Sequence, residues 1–181
     1  PIPTGLYDNG YDQNDTELRV SWPFTAKTHI EARIAHIERE HDHYDERDYD
    51  GTIGNFSVNW DVTAKTRVAA SVSRELSNYQ TLYSSYYQAD RFVIAPYWQI
   101  SAKTGLRLRY EYSERDYLGA IAATSFNGRT DTIKLGSIAF EWAPYSNTLI
   151  SASLQNEKRS SNKPGQDYDS TMGTLSAQIT F

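Results

Sequence analysis

The chain has 181 residues, no cysteine, a formal net charge of −5 and a mean hydropathy of −0.66. No run approaches the roughly 20 apolar residues of a membrane helix. The lack of cysteine excludes a disulfide framework and thiolate metal sites, and an acidic chain without a basic stripe excludes a nucleic-acid partner. Aromatic residues reach 13%, with 14 tyrosines among them, an enrichment that suits aromatic girdles at membrane interfaces.

Residues 1–13 read as the remnant of an extracellular-side loop. From residue 14 onward apolar and polar residues alternate with period two, the pattern of strands with one apolar and one wet face. Leu18, Val20 and Trp22 share a face that excludes Glu17 and Arg19; then Ile30, Ala32 and Ile34 alternate with Glu31 and Arg33. Between them stands Trp22-Pro-Phe-Thr-Ala-Lys-Thr28, a phrase that recurs at Trp60, Trp98 and Trp142, at intervals of 38, 38 and 44 residues. A fixed period of this size marks one repeated supersecondary unit, here a β-hairpin whose short turn is the phrase itself. Phe56, Val58 and Trp60 enter the second copy, and Val68, Ala70 and Val72 leave it, with Arg67 out of phase. Phe92, Ile94, Pro96 and Trp98 enter the third, followed by Leu106, Leu108 and Tyr110 interleaved with Arg107, Arg109 and Glu111. The fourth runs Ile138, Phe140, Trp142, then Ile150, Ala152, Leu154; Ile133 and Leu135 lie out of phase, and a bulge at Gly136 is expected to switch the register. The ninth strand, drawn over 170–181, puts Leu175, Ala177, Ile179 and Phe181 on one face.

The far ends of the hairpins run into long polar loops near 38–51, 78–88, 117–130 and 159–168. Short turns on one side and long loops on the other predict an all-β protein, an antiparallel up-and-down transmembrane β-barrel, in one domain over residues 14–181 with about nine strands. Bacterial barrels have even strand numbers and begin and end in the periplasm. Nine strands with the N-terminus outside, and no signal peptide, lead us to expect the C-terminal portion of a larger barrel.

Arg or Lys facing lipid at the midplane costs about 2–4 kcal/mol, so the charged positions are expected inside. Glu17, Arg19, Glu31, Arg33, Arg67, Arg107, Arg109 and Glu111 are the lumen-lining candidates, and Trp22, Trp60, Trp98, Trp142 and Phe181 the interface anchors. Tyr79, Tyr83, Tyr86 and Tyr87 crowd one loop region, where aromatic faces could stack on sugar rings. His41 and His43 stand among carboxylates in the first long loop, but their irregular spacing reads as a solvated acidic loop, and no metal or cofactor is expected. No nucleophile elbow or phosphate-binding glycine loop is present, so no enzyme is expected.

Several irregular stretches carry a family resemblance: Ser73-Arg-Glu-Leu-Ser-Asn-Tyr-Gln80, Leu82-Tyr-Ser-Ser-Tyr-Tyr87, the phrase at Trp98, Leu106-Arg-Leu-Arg-Tyr110 and Arg115-Asp-Tyr-Leu-Gly119. With the ending Arg159–Gly165 and Ser176–Phe181, they resemble the EpsL-type outer-membrane proteins of exopolysaccharide operons, within a wider group of β-barrel porins. The likeness covers most of residues 55–181 and is weaker over 1–50. The terminal strand closing on Phe181 resembles the signal read by the outer-membrane assembly machinery. The resemblance implies a bacterial outer-membrane barrel in polysaccharide export or biosynthesis, partnered by the lipid bilayer, lipopolysaccharide, the polymer and export-complex proteins. It supplies no catalytic residue. A general diffusion porin, or a plugged barrel serving as anchor or assembly scaffold, remains the alternative.

Overall fold

The computed structural model describes residues 10–42, 45–78, 86–119 and 128–180. Phe181, Tyr79, Tyr83 and His43 lie outside them. Nine strands form one antiparallel sheet in sequence order: β1 (Tyr11–Thr25), β2 (Thr28–His41), β3 (Tyr49–Thr63), β4 (Thr66–Asn78), β5 (Tyr86–Gln99), β6 (Thr104–Leu118), β7 (Thr130–Tyr145), β8 (Thr148–Ser161) and β9 (Tyr168–Ile179). The sheet is not closed, and no ladder joins β1 to β9 among the described residues. Strands of 12 to 16 residues exceed the roughly 9–11 that cross a bilayer.

The repeated phrase has a structural reason at each hairpin. Thr25, Thr63 and Ser101 each accept, through the side-chain hydroxyl, the backbone N–H of the lysine two residues later, at 3.1 Å. The lysine carbonyl then accepts from the residue after the next tryptophan: Asp61 to Lys27 at 2.8 Å, Gln99 to Lys65 at 2.7 Å, Ala143 to Lys103 at 2.7 Å. Thr180 donates to Asn147 in the same way at 2.9 Å. Each turn therefore fixes the height of the following hairpin.

Those heights give the strand tilt. Trp22 pairs with Ile30 and Ile30 with Val58, and Trp60 stands two residues beyond Val58. The same step separates Pro96 from Trp98 and Phe140 from Trp142. The line of tryptophans thus advances one residue per strand. A rise of about 3.3 Å against an interstrand spacing of about 4.8 Å is a tilt of about 35°, within the range of membrane barrels.

The tryptophan face is apolar and exposed. Trp142 and Phe140 are each 44% exposed, whereas on the opposite face the side chains of Glu111 and Glu141 are 15% and 21% exposed. A water-soluble sheet has the reverse distribution. Above Trp98 and Trp142 the outer face carries no polar side chain until Asp90 on β5 and Lys134 on β7, both eight residues along. At the derived tilt that span is about 22 Å high, close to the apolar band of about 25 Å on membrane barrels.

Two features depart from a regular sheet. The ladder from β3 to β4 ends at Gly54↔Arg74. Above it, Ala35, Ile37, Tyr49 and Ile53 pack with Tyr86 and Leu76 in a small core, so the upper β2–β3 arm leans across β4 and β5. Gly54 permits the bend, since a Cβ there would stand 2.9 Å from the Arg33 carbonyl oxygen. The second feature corrects an expectation. No register shift occurs at Gly136, which pairs in step with Tyr110 and Asn156. Ile133 and Leu135 keep one phase throughout and face the polar side, where Ile133 is 5% exposed; they pack on the upper part of that face, so no bulge is needed.

Adjacent positions on β7 offer a direct comparison of the faces. Ile138→Arg, near mid-belt on the exposed face, should cost about 2–4 kcal/mol in denaturant unfolding from phospholipid vesicles. Ser137→Arg, one residue away on the polar face, should cost under about 1 kcal/mol. Equal losses would refute the facial assignment.

Candidate functional site

The polar face is cross-linked by arginine–carboxylate pairs. Glu17 on β1 accepts from Arg19 at 2.7 Å and from Arg33 of β2 at 2.8 Å. Arg67 meets Asp61 at 2.8 Å, Arg107 meets Glu141 at 2.6 Å, and Arg109 meets Glu111 at 2.6 Å. Arg91 bridges Glu111 at 3.2 Å and Glu75 at 3.7 Å. Glu31 faces His29, 3.3 Å away. All eight lumen candidates named from the sequence lie on this one face, and most join networks that span strands. Glu75, Arg91 and Glu141 were missed, although counting by twos from each tryptophan places them on the same side.

Between these pairs the face is lined by small residues, Ser71 and Ala69 on β4, Ser137 and Ala139 on β7, Ser151 and Ser153 on β8. Small polar walls with long charged side chains leave space for water. The apolar groove bordered by Leu18, Val20, Ile34, Phe56, Val72 and Phe92 lies on the opposite, exposed face beneath the leaning arm. It belongs to the lipid side.

Above the belt, the polar face of β5–β9 carries a second, denser cluster. Asp131 is completely buried. Arg129 donates to its carboxylate from Nε at 2.9 Å and from a terminal nitrogen at 2.5 Å, and Arg159 Nε lies 3.2 Å away. Burial alone would raise the Asp131 carboxyl; the hydrogen bonds from Arg129 and Ser161, with the charges of Arg129 and Arg159, outweigh it and hold the group below the usual carboxylate range. Guanidinium groups lie over tyrosine rings throughout: Arg129 on Tyr117 at 4.3 Å, Arg115 on Tyr87 at 5.2 Å, Arg159 on Tyr168 at 5.4 Å, and lower down Arg107 on Tyr97 at 4.7 Å. Tyr87 and Tyr117 contact each other at 5.5 Å.

Of the sugar-stacking candidates, Tyr87 thus joins this cluster. Tyr86 points to the other side, is 7% exposed, packs edge-on against Tyr49 at 5.5 Å and donates its hydroxyl to the Asp48 carbonyl at 3.0 Å. The four tryptophans sit on the apolar face at the turn level, each about half exposed.

In comparison with known protein families, residues 9–181 match the family described as Putative beta-barrel porin 2. No curated protein matches the chain.

The buried cluster should dominate local stability. Asp131→Asn leaves two guanidinium groups without their shared counter-charge and should cost about 3–5 kcal/mol, against under about 1 kcal/mol for the exposed Arg19→Ala. Because the Asp131 carboxyl is held low, its stabilisation is present above the unfolded carboxylate range and is lost as pH falls through the lowered value. Acid unfolding followed by circular dichroism should therefore be shallower in Asp131→Asn; an unchanged acid limb would contradict the assignment.

Proposed function

Because this chain belongs to the β-barrel porin family matched over residues 9–181, we propose that it is an outer-membrane passage protein whose charged, wet lumen carries polysaccharide during exopolysaccharide export. The observation that carries the reading is the inverted polarity of the sheet: large apolar side chains such as Trp142 and Phe140 are 44% exposed, while Glu111 and Glu141 on the opposite face are 15% and 21% exposed. Such a surface is stable only against hydrocarbon. The exposed face fits a bilayer belt, with Lys134 and Lys158 directly opposite each other just above it. Like charges so placed repel unless they meet anions, and lipopolysaccharide phosphates supply them. The terminal strand supports insertion by the outer-membrane assembly machinery. The polysaccharide cargo, and any export-complex partner, rest on the resemblance to EpsL-type proteins.

A general diffusion porin shares the same lumen, and a scaffold with a plugged barrel shares the same belt. Planar-bilayer recording separates passage from scaffold: stable current steps that scale with KCl concentration are expected, and their absence would favour the scaffold. Arg109→Glu should move the reversal potential toward cation selectivity, because it removes one inward positive charge and adds a negative one. For the cargo, deletion of the gene should lower extracellular polysaccharide severalfold; normal amounts in the medium would remove export and leave the diffusion porin.

A further inference from the structure

The cluster above the belt holds more cation than its own carboxylates neutralise. Arg115 of β6 is paired in register with Asp131, yet Asp131 is engaged by Arg129 and Arg159. Glu157 accepts from the Tyr168 hydroxyl. Arg115 therefore has no ion pair among the described residues, and its Nε is buried without a hydrogen-bond partner. The segments 79–85 and 120–127, which flank β5 and β6 in sequence, contain no Asp or Glu. One face of this guanidinium is against Tyr87, while Tyr117 and Tyr168 present further rings beside it, each under an arginine. Below it Ser113 Oγ is fully buried and likewise unpartnered.

We propose that Arg115, with Tyr87 and the Arg159–Tyr168 pair, forms a binding site for carboxylated sugar units at the outer end of the lumen. A uronate residue has the two features this site complements. Its carboxylate takes the planar donor fork of Arg115, and the C–H face of its ring lies against a tyrosine. A neutral sugar offers only the second, and a small dicarboxylate only the first. The inference rests on the passage reading and specifies its cargo as an acidic saccharide. Binding at the mouth raises the local concentration of the polymer segment and sets its direction of entry relative to the ion-paired lumen below.

Equilibrium binding tests the site independently of conduction. Refolded full chain in detergent, checked for the folded state by heat-modifiable gel mobility, is titrated calorimetrically with trigalacturonate, maltotriose and glutarate. Trigalacturonate should bind at least tenfold more tightly than either control. Arg115→Gln should weaken it by about ten- to a hundredfold, the range for a charge-assisted hydrogen bond, with maltotriose unaffected. Tyr87→Leu should weaken trigalacturonate and leave glutarate unchanged. Equal affinity for trigalacturonate and maltotriose overturns the proposal, as does equal affinity for glutarate, an unchanged Arg115→Gln, or no trigalacturonate heat from folded protein. Any of these in a chain that still conducts in planar bilayers leaves the passage reading intact. Loss of conduction with intact trigalacturonate selectivity would overturn passage and keep the site.

Discussion

The constraint on which the structure depends is the satisfaction of backbone hydrogen bonds where no water is present. In hydrocarbon an unpaired N–H or C=O costs several kcal/mol, so every strand in the belt must have a partner on both sides. β2 through β8 meet this within the sheet. β1 and β9 each have one neighbour and, being both odd in an alternating series, run in the same direction. Direct closure between them would need a parallel ladder in an otherwise antiparallel sheet. Pro96 shows how narrowly the rule applies inside the sheet. It has no N–H to donate, and the β5–β6 ladder skips from Ile94↔Tyr110 to Tyr97↔Arg107 around it, while its half-buried ring keeps the lipid face apolar.

Tilt follows from the turns. A membrane strand has no freedom to slide, because a one-residue slip would carry every arginine of the polar face into lipid. The lysine carbonyl of each turn, accepting from the residue after the next tryptophan, locks that register between hairpins as well as within them. The lysine side chain is not involved in this bond. Asn147 can therefore replace the lysine in the fourth copy without loss of the link to Thr180. The strict one-residue advance per strand, and with it the angle of about 35°, is set at the short turns, where the sequence repeats, and is carried upward by the ladders.

The belt was legible in the sequence because its chemistry is periodic. Counting by twos from each tryptophan sorts side chains into two faces, and the hairpin order follows from the spacing of the repeats. Above the belt periodicity ceases to be informative, since both faces of the strands are polar there and neither side is dictated by lipid. This is why the leaning β2–β3 arm was not foreseen: it depends on Gly54, one residue whose missing Cβ allows β3 to approach Arg33, and on a small core in which Ile37 and Ile53 meet Tyr49 and Tyr86, the two tyrosines coming from segments that read as loop. Ile133 and Leu135 misled for the same reason. An apolar residue on the lumen face looks like a phase error until Ser113 and the arginines around it are seen to enclose it. The Asp131 cluster escaped notice because its members come from five strands and a loop end.

The distribution of cations finally explains how one face can be both charged and stable. On the sheet, inward cations are arginines, Arg19, Arg33, Arg67, Arg91, Arg107, Arg109, Arg115 and Arg159, whereas lysines occupy the turns at 27, 65 and 103, the outer rim at 134 and 158, and a loop at 163. Arginine's planar fork reaches two carboxylate oxygens or bridges two strands, and its flat face tolerates an aromatic ring. Lysine, a compact and strongly hydrated charge, suits positions open to water or to lipid phosphates. A lumen built from lysines would hold its cations as separate hydrated points. Built from arginines, it becomes a network in which carboxylates such as Glu17 and Glu111 each take two guanidinium groups, one from their own strand and one from a neighbour. Such sharing also makes an unmatched guanidinium such as that of Arg115 conspicuous among the described residues. The rigidity that stabilises the wall thereby confines recognition of an incoming anion to the place where the pairing runs out.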